Sequence, residues 1–188
     1  MPDFHTDPIR EERIRAVPSA YTRANLHMVA SSFCVLSIRV ARLGESEVVE
    51  ARIESSLPHT PNTAFAIKGG WIVCTEPKAW RICSAPQRHR ELMTKLACVS
   101  TAQVLVTDLS SANAILEVRG PASRRALAFG CPLDLHERVF KIGDAAGSRI
   151  RGLPLFVLKI SDEPGFLVGC ERPHALTVWE RLVDAASD

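Results

Sequence analysis

The chain has 188 residues, 46% of them hydrophobic, with 23 basic against 21 acidic side chains and a formal net charge of +2. So even a balance excludes a polyanion-binding field spread over the whole surface, and no run approaches the ~20 apolar residues of a membrane-spanning helix. The length predicts one compact unit or two small fused ones. A chain of this size buries roughly 70% of its unfolded surface. Arginine outnumbers lysine, which reflects gene base composition or an enrichment at protein interfaces. The six cysteines, Cys34, Cys74, Cys83, Cys98, Cys131 and Cys170, contain no C-x-x-C pair and have mostly apolar neighbours. That pattern predicts reduced, buried thiols in a cytoplasmic protein rather than zinc ligands or a redox pair. The polar N-terminus has no apolar core of a secretory signal.

Residues 1–29 predict an arm, either mobile or ordered only against a partner. They hold Asp3, Asp7, Arg10 to Arg13 and Arg15, and Pro18 limits any helix started at Asp7-Pro8. Residues 33–41 alternate as a strand. Residues 45–56 fit either period, and clustered glutamates with Ala51-Arg52 favour a helix. Residues 57–70 form a proline-punctuated connection with extended character at 64–67. Two strands follow at 71–74 and 79–83 around a turn. Ser84 and Gln87 form a capping-box pattern around Pro86, predicting a helix to Cys98 that buries Leu92, Met93 and Leu96. A strand at 104–106 completes the order β-α-β-β-α-β, that of a split βαβ, ferredoxin-like unit.

The second half begins to repeat that order. Residues 112–119 predict a strand with Leu116 and Val118 on one face and Glu117 and Arg119 on the other. Gly120-Pro121 is a pivot: proline suits the first helical position, a helix follows to Phe129, and Gly130 occupies the place of a left-handed helix stop. A long connection passes Gly143 and Gly147. A hairpin spans 153–160 and 166–168, and a terminal helix opens at Pro173 with Leu176, Trp179, Leu182, Val183 and Ala186 on its apolar face. The predicted fold class is α+β: two pseudo-repeated ferredoxin-like halves, near 30–108 and 109–188, sharing one core. Element order alone carries this, because no repeat is visible in the residues.

No catalytic, cofactor or metal constellation emerges. Asp108-x-Ser110 at a strand end suits capping of turn amides. Gly120-Pro121 lacks the glycines and lysine of a phosphate loop, and no G-x-G-x-x-G follows a strand. The six histidines are dispersed. Cys131 and His136 lack the third group that would make them a nucleophile and base. Two places suggest an interface instead. Trp80 beside Arg81 is a candidate anchor. Pro132, Leu133, Asp134, Leu135 and His136 form a proline-stiffened loop that either folds onto its own core or docks on another subunit.

Asp108-x-Ser110, a strand, Gly120-Pro121-Ala122-x-Arg124, a short helix and Gly130-Cys131-Pro132-Leu133-Asp134-Leu135-His136 together resemble the gamma subunit of heterotetrameric sarcosine oxidase. That family belongs to the folate-binding aminomethyltransferase-like superfamily, with the glycine-cleavage T protein. The resemblance continues through Phe140, Gly143 and the run from Val178 to Leu182, and more weakly upstream at Leu57-Pro58 and Thr60 to Thr63. It covers residues 30–188, which makes these one domain behind the arm. The Trp71 to Trp80 hairpin departs from it, because the family's glycine and acidic pair are altered. The resemblance implies an aminomethyltransferase folate-binding-like fold and a non-catalytic structural role in a complex that oxidises sarcosine to glycine and hydrogen peroxide, or in a related N-methyl amino-acid dehydrogenase. It implies that FAD, FMN, NAD and tetrahydrofolate sit on the large partner subunits and zinc on the smallest. It also implies docking mainly on the alpha subunit of an alpha-beta-gamma-delta heterotetramer, with no nucleic acid or membrane partner. Two other readings stand beside it. A free-standing folate-binding or aminomethyltransferase-like protein meets the objection that T proteins are much longer and their catalytic aspartate motif has no clear counterpart here. An RNA-binding domain on a ferredoxin-like scaffold would need aromatic signatures that are absent.

Overall fold

In a computed structural model, residues 17–23, 25–99 and 101–187 are described. They form a mixed α+β structure with two antiparallel sheets. The first contains β3 (Cys34–Val40), β4 (Ala64–Ile67), β5 (Gly70–Glu76), β6 (Ala79–Ser84) and β7 (Val104–Asp108) in the order β4-β5-β6-β3-β7. Helices α1 (Ser46–Ile53) and α2 (Pro86–Ala97) cover its outer face. Leaving aside β4, this is the strand order of a split βαβ unit.

The second sheet has the order β1-β2-β8-β11-β10-β9. It consists of β1 (Ala20–Arg23), β2 (Leu26–Ser31), β8 (Asn113–Arg119), β9 (Ala145–Ile150), β10 (Leu153–Ser161) and β11 (Gly165–Glu171). Helices α3 (Ser123–Ala128) and α4 (Ala175–Ser187) lie on its outer face. Here β8, β11 and β10 occupy the places that β3, β6 and β5 hold in the first sheet. The place of β7 is filled by β2, which arrives from the other end of the chain and pairs His27 with Arg119 through Ser31 with Ile115.

Three apolar clusters set the layers. Leu36, Ile38, Trp80 and Ile82 meet Val49, Ile53, Leu92 and Leu96 of α1 and α2. Leu116, Val118, Val157 and Phe166 meet Leu127, Val178, Trp179 and Leu182 of α3 and α4. Between the sheets, Val35, Val73 and Cys83 pack on Ile115, Leu158 and Leu167. The result is a four-layer sandwich, helices outside and sheets within. Adjacent residues of each strand serve opposite layers because side chains alternate. At one corner the sheets are stapled: Ala64 N–H donates to Gly143 O at 2.6 Å and Ala145 N–H to Asn62 O at 2.8 Å.

Several expectations are corrected. The arm predicted for residues 1–29 contains β1 and β2 in its C-terminal part, with Leu26 and Met28 buried in the helix-side core; residues 1–16 lie outside the described residues. The connection through Gly147 is β9. Ser84 does not cap α2; Ala85 holds that position, and the Ser84 hydroxyl is buried without a partner among the described residues. The apolar face of α4 is rotated toward Ala175, Val178, Trp179, Leu182 and Ala185, while Leu176, Val183 and Ala186 sit at its margin.

Gly130 is not left-handed, and Phe129 before it is still right-handed helical. A Cβ at Gly130 would instead lie 3.0 Å from Arg151 Cγ and 3.2 Å from Ile150 Cγ1, so the glycine permits close approach of β9. The left-handed residue is Gly120 (φ +100), and a Cβ there would collide with Asn25 O. Asn25 O in turn accepts the Ala122 N–H at 3.0 Å. The pivot is real, but it serves to seat the turn between β1 and β2.

Candidate functional site

The loop from Gly130 to Gly143 runs along the helix-side margin of the second sheet and is fixed at both ends. Gly130 O accepts the Arg151 N–H at 3.0 Å, and the Gly143 N–H donates to Lys159 O at 3.0 Å. Leu135 and Phe140, 4% and 7% exposed, plug into the core, and half-buried Leu133 leans on the same cluster. Pro132, Asp134 and His136 face solvent. Asp134 Oδ1 accepts the His136 amide at 2.9 Å, His136 Nδ1 accepts the Arg138 amide at 3.2 Å, and His136 O accepts the amides of Val139 and Phe140. Arg124 reaches across to Glu137 at 3.3 Å. With its own hydrogen bonds made internally, the segment is a stiff platform. It holds Val139, 59% exposed, and Ile142, 44% exposed, in water.

These positions divide the predicted interface residues. Pro132, Asp134 and His136 are exposed, while Leu133 is half-buried against the helix-side core. Leu135 belongs to the chain's own core, so the loop folds back and displays a face at the same time. Trp80 is not a surface anchor: it is 1% exposed in the first sheet's core, and its Nε1–H donates to Pro58 O at 2.7 Å. Period-two alternation turns Trp80 and Ile82 toward the helices and Arg81 and Cys83 toward the other sheet. Cys131 and His136 are not a pair either, since the Cys131 thiol donates to Ser148 Oγ at 3.2 Å. Val139 and Ile142 were missed. Their signal was two apolar residues among charges (Glu137, Arg138, Lys141) just before Gly143, which core packing explained equally well.

Asp108 does cap its turn. Its Oδ1 accepts the Ser110 amide at 2.9 Å and the Ser110 hydroxyl at 2.6 Å, and Ser110 Oγ accepts the Val35 amide. Oδ2 lies 3.0 Å from His89 Nε2, a partner from α2 that nothing in the local sequence announces. Partial burial pushes the Asp108 carboxyl up, but the bonds from Ser110 and His89 outweigh it and hold the group below the usual aspartate value. The serine bonds the carboxylate rather than the imidazole, so this is a structural corner and not a nucleophile-base relay. Burial pushes the Cys83 thiol up to about 12 and Cys170 to about 11, which keeps both protonated and unreactive. Among the described residues there is no cluster of three His, Cys, Asp or Glu side chains able to hold a metal, and no helix is long and apolar enough to cross a membrane.

No family model matches the chain. The paired sheets with outer helices define it as an aminomethyltransferase-like fold. The chain superposes on the glycine cleavage system aminomethyltransferase T from Bartonella henselae with a TM-score of 0.61 at 14% identity, covering 93% of this chain and 48% of that one. Within the class, the likeness is stronger to a chain of the heterotetrameric sarcosine oxidase from Corynebacterium sp. U-96. That superposition has a TM-score of 0.76 at 19% identity and covers 90% of this chain and 88% of that one. In sequence, the chain is 30% identical over 126 residues to sarcosine oxidase subunit gamma of Corynebacterium sp. (strain P-1), 66% of this chain and 61% of the relative. A second subunit gamma, from an Arthrobacter species, is 30% identical over 63 residues, 34% of this chain and 31% of the relative. The chain thus spans about three fifths of the first relative's length. In sequence it is similar to sarcosine oxidase gamma subunits, as its motifs implied, and in fold to a chain of heterotetrameric sarcosine oxidase.

Proposed function

We propose that this chain is a non-catalytic, structural subunit of a heterotetrameric sarcosine oxidase or of a closely related N-methyl amino-acid dehydrogenase. The supporting observation is the likeness in sequence to a gamma subunit over 126 residues together with the likeness in fold to 88% of a sarcosine oxidase chain. In this reading the flavins, NAD, tetrahydrofolate and zinc belong to the partner subunits, and the alpha subunit is the main docking partner. The assembly oxidises the N-methyl group of sarcosine, and this chain contributes surface. Pro132, Leu133, Asp134 and His136, extended by Val139 and Ile142, form the docking platform. Apolar side chains held in water on a stiff backbone lose little entropy when a partner covers them.

The test is co-expression of the tagged chain with the alpha-type flavoprotein subunit encoded in the same genome. The wild type should capture a yellow partner. Val139→Asp should lose that partner while its circular dichroism and melting temperature stay unchanged. Purified alone, the chain should carry no flavin absorbance. A wild type that captures no flavoprotein subunit, or that binds stoichiometric flavin by itself, defeats the reading.

A further inference from the structure

At the end of the sandwich near Asn62, the inner faces of the two sheets diverge around a cleft of about 900 Å³, which the subunit role leaves unused. Its space comes from missing side chains. Gly147 on β9 has no heavy atom within 4 Å of where its Cβ would stand. A Cβ on Gly169 would run into the Phe156 ring, so that ring lies flat across the glycine and floors the cleft. A volume of this order is typical of small-molecule sites, roughly 300–1,000 Å³.

Two cations line it from opposite sheets. Arg81 shares the inward face of β6 with Cys83, a member of the inter-sheet cluster. Arg149 shares the inward face of β9 with Ala145 and Gly147, and these pair across the strand with Leu158 and Phe156. Neither guanidinium has a hydrogen bond or ion pair to a described residue. A third lining arginine, Arg172, shows the contrast. It donates through Nε and Nη2 to Ser110 O, Ser111 O and Asn113 O at 2.7–2.9 Å and so holds the wall. The single lining carboxylate, Glu171, lies 3.8 Å from His174. Arg81 is half-buried, so its unpartnered guanidinium is poorly solvated, Arg149 stands exposed at the rim, and the fork of each matches a planar carboxylate.

We propose that this cleft binds a small aromatic carboxylate, its ring resting on Phe156 and its anionic group held by Arg81 and Arg149. The site does not depend on the subunit reading, because the isolated full-length chain suffices to test it. The probes are 2-naphthoate and its uncharged analogue 2-naphthylmethanol, followed by amide chemical shifts of the labelled chain. Naphthoate should shift the Gly147 and Gly169 amides saturably. The alcohol should bind roughly tenfold or more weakly, since it forfeits a charged hydrogen bond. Arg81→Met and Arg149→Met should each cause a loss of that size for naphthoate and none for the alcohol. Gly147→Leu fills open space at an ordinary φ, so it should abolish binding of both probes while leaving the melting temperature intact. Arg149 is exposed, so its variant keeps the test valid if Arg81→Met fails to fold. Equal binding of acid and alcohol, or naphthoate shifts unchanged in Arg149→Met and Gly147→Leu, would overturn the proposal.

Discussion

The two sheets reach the same strand arrangement by different routes. The five-stranded sheet is built entirely from residues 34–108, and even its longest-range pairing, Leu36 with Asp108, stays inside that one segment. The six-stranded sheet is completed by β2, so residues 26–31 must find β8 at residues 113–119 after the whole first sheet has intervened. Closing a long loop is entropically costly and must be offset by burial once the strands meet. The offset is visible: Met28 is fully buried and Leu26 is 2% exposed, and Gly120 has surrendered its side chain so that Asn25 can sit against it. The first sheet therefore closes within one continuous stretch of chain, and the second needs a strand from the far side of that stretch.

The largest effect is expected from a charge placed in β2. Met28→Asp puts an unpaired carboxylate into a closed core, which costs several kcal/mol. It should drop the melting temperature by about 10 °C or more, at roughly 2–4 °C per kcal/mol for a chain of this size. Leu105→Asp in β7, the strand of equivalent place, alters a side chain that is 56% exposed and should change little. If both variants melted alike, β2 would not be integral to the second sheet.

Next in size is the loop at the margin of the second sheet. Leu135→Ala should cost about 2–5 kcal/mol as a buried leucine truncation. Gly130→Val should cost about 1–3 kcal/mol, because its side chain would press on Arg151 and Ile150. Thermal melts distinguish these from Val139→Asp, which should melt as the wild type does. An unaffected Gly130→Val would show that β9 can move aside.

Lys159 on β10 tests the second sheet's core from within. It is 2% exposed, its Nζ has no hydrogen bond among the described residues, and its nearest compensation is the Phe166 ring at 5.3 Å. Desolvation first, then the charge of Arg124, lower its pKa against the opposing pull of Asp162 and Glu137. A lysine with a lowered folded pKa holds fewer protons in the native state than in the unfolded one. Stability should therefore rise with pH from that lowered value toward the ordinary lysine range. Lys159→Met should stabilise the chain near neutral pH by about 1 kcal/mol or more and flatten that rise. Chemical denaturation across the alkaline range reads both, and a less stable methionine variant would contradict the assignment.

The smallest effect is expected in the first sheet, at Asp108. Its carboxyl is held below the ordinary value in the folded state, so its contribution is present above the usual aspartate range and is lost as pH falls through the lowered one. The side chain is 44% exposed, so the contribution is at most about 1 kcal/mol. Asp108→Asn should remove that part of the acid limb and leave the neutral melting temperature slightly lower. An identical acid limb in both proteins would show that Ser110 and His89 do not couple to folding.

Features governed by local rules were legible in the residues alone. Alternation located β3 and β8, a turn located β5 and β6, proline and leucine spacing located α2 and α4, and Asp108-x-Ser110 read correctly as a cap. The motif around Gly130 pointed to the gamma-subunit likeness without any structure. Tertiary structure decided whatever depends on a distant neighbour. Residues 1–29 read as a polar arm because the charges from Asp3 to Arg15 dominate the segment, yet Leu26 and Met28 near its end enter a core once β8 and α3 wall them in. Trp80 and Arg81 stand side by side in sequence, and only the pairing of β6 shows which enters the core and which faces the cleft. Gly130 and Gly120 are both glycines at ends of the same helix. Which one needs a left-handed backbone, and which one merely needs room, was settled by Asn25 and by Arg151, residues that meet them only in the folded chain.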